Sequence, residues 1–189
     1  MPLNLGNDGG SSKKFIRYMA STGSWSKSEK NGDGDYHDVN FDFGQAVFDF
    51  ANIKTGWAMF ARGMSPEWVM DESLTKQASK PADGREWKRG FKVDIYSDKM
   101  FDGVVEWSSN STGASMGIAD LYSEYERQAE DGKVPVVKFD GVKPIKVGMG
   151  STNVPQFSIV KMVATPEQLQ QVGAPVVAVA DDEGDEFPA

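Results

Sequence analysis

Residues Ile53–Arg62 alternate in character with a period of two, and this pattern constrains the fold more than any other stretch of the chain. Side chains of a β-strand point alternately to its two faces, so the pattern predicts a strand with one buried face and one exposed face. We expect the exposed face to be basic and aromatic. The buried set is Ile53, Thr55, Trp57, Met59 and Ala61, and the exposed set is Lys54, Gly56, Ala58, Phe60 and Arg62.

The segment Glu86–Ser97 repeats this arrangement, with an apolar face that only Arg89 interrupts and a basic face opposite it. A further strand is predicted over Phe101–Ser108, and the short Asp98-Lys99 connection favours a hairpin of the two. We expect Trp57, Trp87 and Phe91 to lie in the core. The apolar face comprises Trp87, Phe91, Val93 and Ile95, and the opposite face carries Lys88, Lys92 and Tyr96.

The remaining segments predict more strands, one long helix and one short helix. Strands followed by a single central helix and then more strands exclude a regular βαβ repeat and favour a small closed or half-closed barrel. We expect a disordered N-terminus over 1–12, one domain over 13–172, and a flexible linker with an acidic tail over 173–189. The helix over Ala114–Glu130 has a predicted buried stripe of Met116, Ala119, Leu121, Tyr122, Tyr125 and Ala129. The other predicted elements are strands at Lys13–Ala20, Val39–Phe50, Val134–Phe139, Val142–Val147 and Phe157–Val163, a polar loop at Gly23–Asp38, and a closing helix at Pro166–Val172.

The negative charge of the chain is concentrated at its end. The formal net charge is −8, and five carboxylates lie within the last nine residues, beside a single aromatic residue, Phe187. Such a block repels itself and buries little apolar surface, which predicts a mobile acidic tail. Two inner segments are basic: Lys76–Lys99 has seven bases against four acids, and Lys133–Lys161 has five bases against Asp140 alone. This separation of charge indicates that nucleic acid would be bound through one face.

The sequence gives little support to catalysis, so we expect neither an enzyme nor a cofactor. The chain has no cysteine and one histidine, His37, which excludes a metal site made of cysteine and histidine. The carboxylate pairs Asp94 with Asp98 and Asp102 with Glu106 are more typical of solvated or lysine-paired groups than of an acid–base couple. The segment Asn31–Asp42 begins like a calcium loop, but lacks the glycine and the glutamate that such a loop requires, so a plain turn is favoured.

What remains is a set of cations and aromatic rings interleaved on strands and loops, as single-stranded nucleic acid requires. Cations contact the phosphates of the strand, while flat side chains stack on unpaired bases. Trp25, in a polar Ser/Lys-rich segment, is the aromatic residue hardest to place in a core, and base stacking or folding back onto the barrel both remain open for it. The candidate nucleic-acid contacts are Trp25, Lys54, Phe60, Arg62, Trp68, Lys88, Lys92 and Tyr96.

The strand-rich body, the basic and aromatic face and the acidic end Asp185-Glu186-Phe187-Pro188-Ala189 together resemble single-stranded DNA-binding proteins with an OB-fold, and bacteriophage members in particular. This resemblance implies sequence-independent binding and protection of single-stranded DNA in replication, recombination or repair. It also implies a tail that recruits replication or recombination proteins and competes with DNA. The residues of the tail that would bind partners are Asp181, Asp182, Glu183, Asp185, Glu186 and Phe187.

Two other functions stay open at this point. One is a β-rich phage structural or assembly protein that binds no nucleic acid, and the other is a small hydrolase that uses the carboxylates between residues 94 and 106. The N-terminal residues lack the features of a secretion signal, and no segment has the length and apolarity of a membrane span, so we expect a cytoplasmic protein, in the host cytoplasm if phage-encoded. Homo-oligomerisation stays open.

Overall fold

The computed structural model describes residues 13–173, which form a mixed β-sheet of ten strands with three α-helices and one 3-10 helix. The chain is therefore mainly β, as predicted. The strands are β1 (Lys14–Met19), β2 (Ser24–Lys30), β3 (Tyr36–Phe41), β4 (Gln45–Phe48), β5 (Lys54–Met59), β6 (Glu67–Met70), β7 (Lys88–Ser97), β8 (Gly103–Ser109), β9 (Lys133–Val147) and β10 (Gly150–Ala164). The helices are α1 (Asp98–Phe101), α2 (Thr112–Gln128) and α3 (Glu167–Gly173), and the 3-10 helix spans Phe50–Asn52.

Strand β7 is the centre of the sheet. One of its edges pairs with β8, which confirms the predicted hairpin, with α1 in the connection. The other edge is shared by β5, where Thr55 lies opposite Phe91, and by β4, where Val47 lies opposite Tyr96. The sheet continues past β8 to β1, β2 and β3, and past β4 to β9 and β10, while β6 pairs with the outer edge of β5. Among these pairs only β1 with β8 is parallel.

The sheet curves so strongly that β2 faces the β9–β10 hairpin across the core. The ring of Trp25 lies 5.8 Å from that of Phe139 and 6.3 Å from that of Phe157, between centroids. The chain just after β1 also meets β10, since the backbone N–H of Asn153 donates to the carbonyl of Ala20 at 2.8 Å. The two ends of the sheet therefore enclose one core between them.

This core is mainly aromatic. Trp107 is fully buried, and its ring meets Phe91 edge to face, with the centroids 4.8 Å apart. Pairs of this geometry contribute about 0.5–1.5 kcal/mol beyond the burial of their area. Trp87 and Phe91 are buried as predicted, whereas Trp57 is only half-buried. Three of the five tryptophans, Trp25, Trp87 and Trp107, are thus held inside the fold.

Helix α2 covers one side of this core, close to the predicted position. The hydroxyl of Ser111 caps it by accepting a hydrogen bond from the backbone N–H of Ala114 at 3.3 Å. The helix lies against β10 so closely that a Cβ at Gly117 would come within 2.6 Å of Pro155. The predicted stripe is wrong at Met116, Ala119 and Ala129, which are exposed. The buried face of the helix instead presents Gly113, Ala114, Gly117, Ile118, Leu121 and Tyr125.

The predicted closing helix is confirmed as α3, and the side chain of Leu169 in this helix is buried. None of the described helices is long and apolar enough to cross a membrane.

The predicted polar loop over Gly23–Asp38 is wrong, because most of it forms the antiparallel hairpin of β2 and β3. β2 also pairs with β1, with Trp25 opposite Tyr18. The short turn between β2 and β3 contains the calcium-like sequence: the side-chain oxygen of Asn31 accepts the backbone N–H groups of Asp33 and Asp35. The plain turn that the sequence favoured is therefore present.

Candidate nucleic-acid interface

The outward face of β7 carries the predicted basic residues. Phe91, Val93 and Ile95 point into the core, and Lys88, Lys92 and Tyr96 alternate with them on the outside, as the sequence indicated. Strand β5 extends the same face, with Lys54 opposite Lys92. The outward face of this part of the sheet is therefore positively charged.

Strand β6, which pairs with the outer edge of β5, changes the burial that the sequence predicted for β5. Ala58 lies on the outward face but is fully buried, because Trp68 of β6 lies directly opposite it. The Trp68 ring also covers Gly90, where a Cβ would lie 3.1 Å from it. A glycine at position 90 is thus what lets the indole lie flat on the sheet.

Trp57, predicted to be in the core, lies on the other face of β5 at its margin. Its indole Nε1 donates to the carbonyl of Ala78 at 2.8 Å. The cations of Lys80 and Arg89 lie 5.5 Å and 5.2 Å from its ring centroid. The ring is therefore half-buried between charged side chains, because only the loop around Ala78 covers it.

Trp68, Phe60 and Lys92 form an aromatic and cationic platform. The ring of Phe60 meets Trp68 edge to face at 5.8 Å between centroids, and 43% of Phe60 is exposed. The Nζ atom of Lys92 lies 4.7 Å from the centroid of the Trp68 ring. A cation over a ring, beside an exposed second ring, can bind a base and its phosphate together.

This platform borders an open groove of about 820 Å³, which we call the Trp68 groove. Four predicted residues, Phe60, Arg62, Trp68 and Lys92, are brought together in its wall. The opposite wall comes from β1, the residue before it and β2, and none of the residues that form it had been assigned to the site from the sequence. That wall includes Lys13, Phe15, Arg17, Ser26 and Ser28.

Phe15 and Arg17 are the contacts that the sequence reasoning missed. Phe15 is 51% exposed, and it lies on β1 opposite Glu106 of β8. Ile16 and Tyr18 are buried on the other face of the same strand. This alternation within Lys13–Ala20 was the signal that could have placed Phe15 and Arg17 on the outward face.

Two of the groove's cations are already paired with carboxylates. The Nζ atom of Lys13 lies 3.0 Å from Asp94 and 2.7 Å from Glu106, and Arg17 lies 3.0 Å from Asp38. Burial acts to lower the pKa of Lys13, but its hydrogen bonds to the two carboxylates outweigh this effect and raise the pKa above its ordinary value. Lys13 therefore stays charged at neutral pH and offsets the negative charge of these two carboxylates.

By contrast, the four cations predicted as nucleic-acid contacts are available for phosphates. Within residues 13–173, no carboxylate forms an ion pair with any of them. They are Lys54, Arg62, Lys88 and Lys92.

The carboxylates between residues 94 and 106 are arranged differently from the pairs that the sequence suggested. Asp94 lies directly opposite Glu106 on β7 and β8, with Lys13 bound to both. Asp98 instead accepts a hydrogen bond from Tyr96 at 2.6 Å. In the described part of the chain, no cluster of three or more His, Cys, Asp or Glu side chains could hold a metal ion. This ion-paired arrangement offers no observation in favour of a hydrolase.

Trp25 is the predicted contact that the structure corrects. It is 2% exposed, and its ring lies 4.8 Å from those of Phe43 and Trp107 between centroids. A base cannot stack on it without opening the core. The reason is its position on β2: pairing with β1 turns Trp25 inward, while the serines around it lie at the surface or at the groove wall.

The other predicted contacts lie outside the walls of the Trp68 groove. Lys54 and Lys88 are exposed on the adjoining outward face. Tyr96 lies further along β7, and its hydrogen bond to Asp98 raises the pKa of its hydroxyl above the ordinary value. The predicted tail residues Asp181, Asp182, Glu183, Asp185, Glu186 and Phe187 lie outside the described residues.

No family model, curated protein or solved structure matches this chain. The geometry of the Trp68 groove is therefore what indicates a function.

Proposed function

We propose that this chain binds single-stranded DNA without sequence preference, through the Trp68 groove and the basic outward face of β5 and β7. The observation that carries the proposal is the platform of Phe60, Trp68 and Lys92 on the wall of an open groove. Stacking on such rings needs bases that are not paired in a duplex, and every base has a face that can stack. The ligand class is therefore a single strand of any sequence.

The order of the elements supports an OB-fold-like barrel for this function. When β4 and β5 are counted as one bent strand, the strands β7, β8, β9 and β10 follow it, with α2 after β8. OB-folds bind on the face of their second and third strands and on the loop between the first and second. On that count the second and third strands are β7 and β8, and the connection between the first and second contains Phe60 and Trp68. The position of the groove supports the proposal, because it is near these strands and this connection.

The acidic C-terminal segment completes the proposal. Its carboxylates compete with DNA phosphates for the basic face and, when DNA displaces them, recruit replication or recombination proteins with Phe187 as an apolar anchor. The support for this part is the charge pattern and the resemblance to single-stranded DNA-binding proteins. The overall charge of −8 fits a protein that attracts DNA through one face only.

A titration of a fluorescently labelled oligo-dT, followed by anisotropy at two salt concentrations, tests the proposal. We expect binding that weakens with salt, by a slope of about 0.7 in log K against log salt per phosphate contact. Unlabelled single strands of other sequences should compete as well as oligo-dT, and a duplex of the same length should compete poorly. Failure of any single strand to bind would favour the alternative of a structural or assembly protein.

A further inference from the structure

A second groove of about 820 Å³ lies beside the Trp68 groove, and we call it the Tyr36 groove. It is formed by the start of β1, the end of β2, the start of β3 and helix α1. Lys13, Phe15 and Ser28 line both grooves, so the two surfaces are continuous. The strands β1, β2 and β3 precede the five strands that resemble an OB-fold, so this groove is an addition to that barrel.

The Tyr36 groove is basic. Five lysines line it against three carboxylates: Lys13, Lys14, Lys27, Lys30 and Lys99 against Glu29, Asp98 and Asp102. Two of these carboxylates already have partners, because Glu29 lies 2.9 Å from Lys27 and Asp98 accepts the hydroxyl of Tyr96. Lys30 and Lys99 form no ion pair with any carboxylate within residues 13–173. Lys14 forms none either, but its Nζ atom donates a hydrogen bond to the carbonyl of Phe101 at 3.4 Å. Among the described residues, Lys30 and Lys99 are therefore the lysines of this groove without a protein partner, and they could bind phosphates.

Two exposed aromatic side chains line the Tyr36 groove. Phe15 is at the junction of the grooves, and Tyr36 is 66% exposed at the start of β3, opposite Lys30. Tyr36 is thus an exposed aromatic side chain on an edge strand, beside a lysine that forms no ion pair in the described residues. It offers the same combination of ring and cation as the platform of Phe60, Trp68 and Lys92. The alternation of cation and ring is what a single strand with splayed bases requires.

We propose that a single strand bound in the Trp68 groove continues past Phe15 into the Tyr36 groove, where Lys30 and Lys99 bind its phosphates and Tyr36 stacks on a base. This inference rests on the proposed function. It makes the binding site longer than the OB-fold-like barrel alone. Short oligonucleotides contact the Trp68 groove only, and longer ones contact both grooves.

The test compares the wild-type chain with Tyr36→Ala and with a Lys30→Ala/Lys99→Ala double variant, on oligo-dT from about 4 to about 16 nucleotides, the span of site sizes found for OB-folds. The shortest oligonucleotide that binds should bind all three proteins equally. For the longest, Tyr36→Ala should weaken binding by about fivefold or more, as expected for loss of one stacked base. The double variant should reduce the salt slope by about 1.4 for the longest oligonucleotide only.

A Lys76→Ala/Lys133→Ala variant is the matched control, since it removes the same charge and both lysines pair with acids away from the grooves. It should leave every affinity nearly unchanged. Melting temperatures confirm that the exposed substitutions leave the fold intact. Suppose that the wild-type chain binds every length, but that the variants change no affinity or change all affinities by the same factor. The contact of DNA with the Tyr36 groove is then refuted, while the proposed function stands. If the wild-type chain binds no oligonucleotide, the proposed function itself fails.

Discussion

The substitution Phe60→Ala separates binding from stability more cleanly than any other change in the Trp68 groove. Phe60 follows the end of β5, is 43% exposed, and has one aromatic partner, Trp68. The loss of that edge-to-face pair should cost about 0.5–1.5 kcal/mol of unfolding free energy, in addition to the apolar area that the half-exposed ring buries. If Phe60 stacks on a base, the same change should weaken DNA binding by about 1–3 kcal/mol. Affinity should therefore fall by roughly 5-fold to 150-fold while the protein stays folded.

The assay is anisotropy of labelled oligo-dT at low salt, with thermal unfolding followed by circular dichroism on the same samples. Phe60→Leu should lose much of the affinity too, because it keeps apolar bulk but has no ring to stack. Leu74→Ala is the control, since Leu74 is also an exposed apolar residue but lines a different cavity, beside α2. Equal affinities for Phe60→Ala and Leu74→Ala would refute the stacking role of Phe60.

The remaining predictions concern charge, the core, acid stability and the tail. Replacing Lys88 and Lys92 together by Ala should reduce the salt slope by about 1.4 for every oligonucleotide sequence alike, and an unchanged slope would show that neither contacts phosphate. Trp25→Ala should cost about 3–5 kcal/mol in chemical denaturation, because Trp25 is packed in the core, and a stable variant with weakened DNA binding would contradict that position. The hydrogen bond from Arg89 holds the pKa of Asp71 well below its usual range. The ionised Asp71 carboxylate should therefore stabilise the fold fully above a pH of about 3.8, its ordinary pKa, and this stabilisation should be lost as the pH falls below that value. Asp71→Asn should therefore destabilise the protein at pH 7 by about 1–3 kcal/mol. The difference in unfolding free energy between the variant and the wild type should narrow as the pH falls in an acid denaturation experiment. Deleting residues 181–189 should tighten binding of oligo-dT, most at low salt where screening is weakest, and leave the melting temperature nearly unchanged.

The sequence predicted the central β7–β8 pair because β7 has one face in the core and mostly polar side chains on the other. Phe91, Val93 and Ile95 alternate with polar residues, and this period identifies the buried face without any knowledge of the partners. The same reasoning placed Lys92 on the outward face. Together with the exposure of Phe60, this explains why two of the three residues of the platform, Phe60 and Lys92, could be placed from the local pattern.

The errors arose where burial depends on a distant element. Ala58 is buried because Trp68 of the paired strand β6 lies opposite it, and the Trp68 ring also lies close to Gly90. Trp25 is flanked by serines in a segment with no apolar alternation, so only its pairing with β1 and its contact with Trp107 place it in the core. Phe15 was overlooked for the opposite reason, since an aromatic residue in a predicted strand is usually buried. Trp25 and Trp68 thus depend on contacts with residues distant in the chain, Trp107 and Gly90, which a local pattern does not show.

The most direct test of the central claim is tryptophan fluorescence during titration with unlabelled oligo-dT. Trp25 and Trp107 are in the core and Trp87 is buried with its Nε1 bonded to Asp83, whereas Trp68 lies on the groove wall. The account predicts that oligo-dT quenches the wild-type fluorescence, that Trp68→Phe removes most of this quenching, and that Trp87→Phe retains it. Quenching that survives Trp68→Phe undiminished, or no quenching of the wild-type chain at concentrations where anisotropy shows binding, would place the DNA elsewhere on the protein and contradict the account.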